Sequence, residues 1–246
     1  MTRMAGKKAL VTGGSRGIGA ATALRLAQEG ADVAITYERA RDKAEAVVEQ
    51  IRALGRKAIA LQADSADAAA LTVAVDRSAK ELGGLDILVN NAGIWHYGEV
   101  GAWSLQEIDA ILAVNVRAVI VASQAATAHL RQGGRIITTG SCLAERVTDP
   151  GIALYAMSKA ALIGFTKGLA RDLGPRGITV NVVHPGATDT DMNPAVGEHA
   201  DAQLARMAIP HFGKPEDIAG LIAYLASEEG RFITGAGLTI DGGVNS

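Results

Sequence analysis

Tyr155 and Lys159 stand four residues apart in a stretch of helical periodicity, so their side chains share a face and can converge. A free phenol, with a pKa of about 10, is a poor acid or base at neutral pH. A neighbouring ammonium favours the phenolate and moves the phenol toward acid–base work. By itself such a pair is usually a helix-surface contact. Ser141 follows the apolar run 135–139, at a strand end, where its hydroxyl could hold a carbonyl oxygen. A serine there is equally an ordinary turn or cap residue. The other chemical signal is Thr12-Gly13-Gly14-Ser15-Arg16-Gly17-Ile18-Gly19, directly after the first apolar run. Gly13 permits a tight turn, Gly17 lets backbone approach a pyrophosphate, and Gly19 lets the following helix pack closely on a sheet. The helix start then offers free N–H groups and a positive dipole end to phosphates. The spacing differs from the common Gly-x-Gly-x-x-Gly fingerprint, and the Gly-Lys-Ser/Thr ending of a nucleoside-triphosphate loop is missing, which argues against ATP or GTP. The bland alternative is a tight strand-to-helix turn with no ligand.

These residues need a frame, and the pattern supplies one. Strands are expected at 8–12, 32–37, 58–62, 86–89, 135–139, 178–183 and 238–240. Helices are expected at 18–29, 42–54, 67–82, 105–130, 154–173 and 215–226. Strands alternating with helices of this length imply right-handed crossovers and an α/β fold: a doubly wound, Rossmann-type parallel sheet with helices on both faces. No linker, repeat or low-complexity tract divides residues 1–246, so one domain is expected. The longest stretch without periodicity, about 185–215, suggests a substrate-covering lid at about 187–214. Asn115 lies inside the long helix, where asparagine is intrinsically unfavourable.

Composition narrows the classes. With 246 residues, 48% apolar, 20% charged and a net charge of −2, the chain can bury a substantial core and is not disordered. Its 29 glycines against 6 prolines show no collagen period. No basic run gives a footprint for a nucleic acid polymer or an anionic membrane. No apolar stretch is expected to reach the roughly 18 residues of a membrane span. Lys7 and Lys8 precede only a short apolar run, so no signal peptide is expected, and the protein reads as cytoplasmic. A lone Cys142 excludes an internal disulfide framework and a Cys-rich zinc site, and no motif makes it a nucleophile. His96, His184, His199 and His211 lack metal-ligand spacing, so no metal is expected. Trp95, His96, Tyr97, Cys142, Leu143, Met192 and Met207 could form a moderately apolar pocket, although such residues are more often core or contact residues.

The Thr12-Gly13-x-x-x-Gly17-x-Gly19 turn, Asn90-Asn91-Ala92-Gly93 after the fourth strand, and Tyr155-x-x-x-Lys159 resemble the short-chain dehydrogenase/reductase family. Pro185-Gly186 after the sixth strand and the ending Ile240-Asp241-Gly242-Gly243 extend the resemblance over essentially the whole chain. The classical type, near the 3-oxoacyl-carrier-protein reductases, is the most similar. Each motif is weak alone; their order and spacing together are specific. The gap from Ser141 to Tyr155 is slightly longer than in the family, which a loop insertion would accommodate.

The resemblance implies a catalytic set of Asn115, Ser141, Tyr155 and Lys159. Ser141 and Tyr155 would hold the oxygen of a ketone, Tyr155 would give the proton, and Lys159 would bind the nicotinamide ribose. The Asn115 backbone carbonyl would hold a water linking Lys159 to solvent. It further implies a cofactor site of Gly13, Ser15, Arg16, Gly17, Ile18 and Gly19, with Asp64 and Ser65 at the adenine and Asn91, Ala92 and Gly93 along the cleft. Pro185, Gly186, Thr188 and Thr190 would lie near the nicotinamide. The NAD-selecting acid position falls on Tyr37, while Arg16 and Arg39 could bind an extra phosphate, so NADP(H) is favoured. Glu38, one residue on, keeps NAD(H) open. A homotetramer formed through two long helices and the last strand is expected, with a dimer possible.

The expected substrate is a small carbonyl or alcohol. Arg131 and Arg176 lie where carrier-protein reductases present basic residues, but the helix ending His129-Leu130-Arg131-Gln132 carries little charge, which favours a broader ketone. A second reading is a nucleotide-binding regulator of the cyclic-di-GMP-binding type on the same fold, to which the 188–195 and 64–67 stretches are similar. The four catalytic residues argue for retained chemistry, since a pure binder would not need them all. An extended epimerase or dehydratase is disfavoured by the short region after the sixth strand.

Overall fold

Along β1 (Lys8–Val11), Ala9 and Val11 pack with one helical layer and Leu10 with the other, the period-two pattern of a strand buried on both faces. The same alternation runs through β2 (Asp32–Tyr37) and β3 (Ala58–Gln62) and the inner parts of β4 (Leu85–Asn90), β5 (Leu130–Thr139) and β6 (Thr179–Pro185), whereas the edge strand β7 (Gly237–Ile240) packs only Leu238 and Ile240, on one layer. The computed structural model describes residues 3–197 and 199–246. Its seven strands form one sheet, in the order β3-β2-β1-β4-β5-β6-β7, with every pairing parallel. The chain order reverses at β1, between β2 and β4, and the crevice beyond the carboxyl ends of strands at such a switch is where doubly wound sheets bind ligands.

The helices are α1 (Gly17–Gln28), α2 (Arg41–Ala53), α3 (Ala68–Leu82), α4 (Leu105–Leu112), α5 (Ala118–Thr127), α6 (Ala153–Leu173), α7 (Ala200–Leu204) and α8 (Pro215–Ala226). Buried residues of α1, α2 and α8, among them Leu26, Val48 and Ile222, cover one face. Leu71 and Val75 of α3, Ala122 and Ala126 of α5, and Leu173 of α6 cover the other.

One long element differs from the sequence expectation. The 105–130 helix is broken by a π-helical turn at Ala113–Arg117 and stops at Thr127. Its expected last residue, Leu130, instead opens β5 opposite Leu85. The Arg176 guanidinium donates to the carbonyls of Thr127 and Leu130, each at 2.8 Å, and so fixes that corner. By length and composition Leu105–Thr127 could cross a bilayer, contrary to the expectation that no stretch could. Here it packs against α3, α6 and the sheet, with Ile111, Val119 and Ala126 buried. The aperiodic segment after β6 contains α7, and a parallel bridge between Thr188 and Gly213 closes its base. Glu198, within the expected lid, lies outside the described residues.

Candidate active site

The glycine turn and the Asn-Asn-Ala-Gly turn are clipped together by Thr12. Its hydroxyl accepts from the N–H groups of Asn91 and Ala92 at 3.0 and 3.1 Å. The Asn91 amide donates back to the carbonyls of Thr12 and Gly13, both at 3.1 Å. Gly13 has φ +64°, and a Cβ there would lie 2.9 Å from the Ala92 Cα. A Cβ at Gly19 would come within 2.3 Å of the Gly13 carbonyl oxygen, so side chains would fill the cradle. Asp67 caps α3 and Ser104 caps α4, but no side chain caps α1. Ser15, Gly17 and Ile18 thus border a helix start whose first N–H groups are left for an anion. The cradle fits a dinucleotide pyrophosphate.

At the adenosine end, Tyr37 turns into the core rather than toward the crevice, because it packs with the buried face of α2. Glu38 stands exposed beside it, paired with Arg39 at 2.7 Å. The Asp64 carboxylate accepts from the Ala66 N–H at 2.8 Å in a local turn beside Ser65. Arg16, on the N-cap of α1, reaches Asp191 at 3.4 Å, and Lys43 of α2 reaches the same oxygen at 2.8 Å.

On the other side of the switch, the Lys159 Nζ donates to the Thr139 carbonyl at 3.0 Å and lies 5.8 Å from the Tyr155 ring centroid. A Cβ on Gly93 would sit 3.4 Å from both the Lys159 Nζ and the Asn115 Oδ1, so these three residues meet. Asn115 occupies the π-helical turn with its side chain turned inward. It accepts from the Ile94 N–H at 2.8 Å and donates to the Ile94 carbonyl at 2.9 Å and the Ser158 hydroxyl at 3.1 Å. Asn115→Leu would leave both Ile94 groups unpaired in a buried place and is expected to destabilise the fold by about 2–4 kcal/mol. A thermal melt unchanged from wild type would contradict this.

Ser141 N-caps a 3₁₀ turn, its hydroxyl accepting from the Leu143 N–H at 3.2 Å. Burial pushes the Tyr155 phenol up to about 12, with the Ser141 hydroxyl pulling the other way. Burial lowers Lys159 to about 8. Without cofactor, then, desolvation governs both groups, and the expected lowering of the phenol by the ammonium is not what the protein alone produces. Trp95 packs on Tyr155 with ring centroids 4.5 Å apart.

Pro185 ends β6, and Gly186 fits against Asp241, whose Cα would lie 2.5 Å from a Cβ there. Thr188 donates to the Gly186 carbonyl at 3.1 Å, and Thr190 lies over Gly17, 3.3 Å from a Cβ built there. The structure thus brings Gly13, Gly19, Asn91 and Ala92 together, with Thr190 over Gly17, and groups Gly93, Asn115, Tyr155 and Lys159.

Known proteins are similar to this chain over nearly its whole length. Residues 13–245 match a family model described as Enoyl-(Acyl carrier protein) reductase, adh_short_C2. A short-chain dehydrogenase from Burkholderia cenocepacia J2315, solved in complex with NADP, superposes with a TM-score of 0.98 at 68% identity, over 99% of this chain and all of that one. The chain belongs to the short-chain dehydrogenase/reductase family. Two curated members are similar over nearly their full lengths. The cyclic-di-GMP-binding biofilm dispersal mediator protein of Escherichia coli K12 is 45% identical over 242 residues, covering 98% of each chain. The 3-oxoacyl-[acyl-carrier-protein] reductase FabG of Staphylococcus aureus Mu50 is 42% identical over 240 residues, covering 97% of this chain and 98% of the other.

As a short-chain dehydrogenase/reductase, the protein is an oxidoreductase, and its structure adds site residues that sequence reasoning missed. Besides Thr12, the Thr36 hydroxyl accepts from the Gly13 N–H at 3.0 Å, and His184 Nδ1 accepts from the Ser141 N–H at 3.3 Å. Lys43 is a third. None has a local signal, since each acts on a distant segment. Met207 is buried with Cys142 and Val244, so it does not line an open pocket. Burial pushes the Cys142 thiol up to about 11, which keeps it protonated at neutral pH. Arg176 is engaged by the carbonyls of Thr127 and Leu130, not displayed for an acidic partner.

Proposed function

We propose that this oxidoreductase reduces a ketone to a secondary alcohol with NADP(H), with Tyr155 as general acid and, in reverse, general base. The observation that carries the reading is the convergence of Lys159, Asn115 and Gly93 beside Tyr155, across the crevice from an uncapped glycine cradle. Bound NADPH supplies a hydride. The Ser141 hydroxyl and the Tyr155 phenol donate hydrogen bonds to the substrate oxygen. Because burial keeps the phenol protonated at neutral pH, Tyr155 holds the proton the nascent alkoxide takes. Lys159 holds the nicotinamide ribose, and Asn115 keeps the adjoining loop in place so that protons can be resupplied by water. Gly13, Ser15, Gly17, Ile18 and Gly19 receive the pyrophosphate; Asp64 and Ser65 face the adenine; Asn91, Ala92, Thr188 and Thr190 line the remainder. Arg16 and Arg39, without an acid at position 37, support NADP(H), as does the NADP complex of the Burkholderia relative.

The substrate is a small or moderately apolar ketone. Trp95, 44% exposed over Tyr155, supplies a ring face for it, and the segment 187–214 acts as the lid. Exposed Ile120 of α5 and Met157 of α6, with the open edge of β7, support a homotetramer. The reading is tested by NADPH consumption against ketones, diketones and 3-oxoacyl thioesters, with NADH in parallel. Turnover of ketones with NADPH is expected; cofactor bound without turnover of any carbonyl would overturn it. In that case the regulatory reading, favoured by the 45% identity to the cyclic-di-GMP-binding protein, predicts saturable cyclic di-GMP binding.

Affinity should also respond to pH. Lys159 sheds its proton as pH rises through about 8, and the ammonium is the stronger donor to the ribose hydroxyls it holds. NADPH affinity is therefore expected to fall above that point, by at most about tenfold per pH unit for one linked proton. Binding titrations should show this slope in the wild type and a flatter one in Lys159→Met.

A further inference from the structure

Three cations at the adenosine end of the crevice carry carboxylates. Arg39 is held by Glu38 at 2.7 Å, while Arg16 and Lys43 share Asp191 at 3.4 and 2.8 Å. Glu38 is a sequence neighbour of its arginine. Asp191 comes from the far side of the crevice, 175 residues from Arg16 and 148 from Lys43.

Its placement is built rather than incidental. Thr190 and Asn193 pair through both backbone N–H groups, at 3.3 and 3.1 Å, which puts Asp191 and Met192 at the tip of a tight turn. The Asn193 side chain is locked by a reciprocal amide pair with Gln203, at 3.0 and 2.9 Å. Thr190 rests over Gly17 of the phosphate cradle. The turn thus delivers one carboxylate to two cations at the rim of the cofactor site. Both cations hold the Asp191 carboxyl well below the usual carboxylate range, so it is an anion throughout the neutral range.

We infer that Asp191 is a cofactor-selectivity residue, its carboxylate competing with the ribose phosphate of NADP(H) for Arg16 and Lys43. This rests on the NADP(H) reading above. The three cations face two carboxylates, a net charge of +1, and a phosphate dianion entering there must displace Asp191 or share its cations. A dinucleotide with a free ribose hydroxyl makes no such demand. The carboxylate therefore narrows the preference for NADP(H) over NAD(H) that the cations alone would give.

The test is equilibrium titration of wild type, Asp191→Asn and Asp189→Asn with NADPH and with NADH. Asp189 is the control: it directly precedes that turn, among the described residues its side chain accepts only from the Ala195 N–H, and its substitution makes the same change in net charge. Asp191→Asn is expected to tighten NADPH by roughly fivefold, the size of an exposed ion pair, and NADH by less than about twofold. Asp189→Asn should change the ratio of the two affinities little. Equal tightening of both dinucleotides, an unchanged or weakened NADPH affinity in Asp191→Asn, or the same ratio change in Asp189→Asn would each overturn the inference. A wild type that binds NADH but not NADPH removes the cofactor reading and the inference together. A wild type that binds NADPH, with Asp191→Asn unaltered, removes the inference alone.

Discussion

Tyr155→Phe is expected to lower turnover by about 10³-fold, within the range that a positioned acid–base group contributes. NADPH affinity should stay within about twofold, because the variant keeps the ring and loses only an oxygen that acts on the substrate. The phenylalanine ring can still pack on Trp95, now 4.5 Å from the tyrosine ring, so the local fold is retained. Steady-state kinetics and a binding titration on the same preparation separate the two effects. Turnover equal to wild type would remove Tyr155 from the mechanism. A loss of NADPH binding in step with turnover would make it a structural residue.

Gly19→Ala is expected to act on the other half of the site. The new Cβ would meet the Gly13 carbonyl oxygen at 2.3 Å and the Asn91 Nδ2 at 2.4 Å. Neither neighbour can yield cheaply. Gly13 is held by Thr36 and left-handed at φ +64°, and Asn91 is the clip between the two turns. The glycine turn must shift, so NADPH affinity should drop by about 10²-fold or more, the consequence of misplacing donors by about 1 Å. Overpacking also lowers stability by roughly 1–3 kcal/mol, a fall in Tm of several degrees for a domain of this size. A variant that melts and binds NADPH like wild type would show that the contact at Gly19 is slack.

Much of this architecture is legible in local sequence because its causes are local. β2, β3 and α8 coincide with the expected 32–37, 58–62 and 215–226, where apolar runs end at clear turn or proline signals. Tyr155 and Lys159 converge because four residues are one helical turn, and the glycine turn reads from its own spacing. The misreadings have distant causes. The 105–130 helix carries no stop signal in its alanine- and valine-rich run; its π-helical turn depends on Asn115 binding Ile94, 21 residues away. Tyr37 falls, by resemblance, at the cofactor-selecting position, but strand alternation and α2 packing take its side chain into the core. His184 reaches Ser141 only because β5 and β6 are neighbours. Lys43 and Asp191 meet only because the segment after β6 folds back over the amino end of α1. Pairings of this kind are set by topology, and no window of sequence contains them.

The proposed reaction carries hydride from NADPH to a carbonyl carbon. The most direct measurement is mass spectrometry of the alcohol formed from a turned-over ketone with NADPH deuterated at either face of the nicotinamide C4. One of the two labelled cofactors should give product with a single deuterium on the carbinol carbon, and the other should give none. Product formed without label from either cofactor, or labelled elsewhere, would contradict the account.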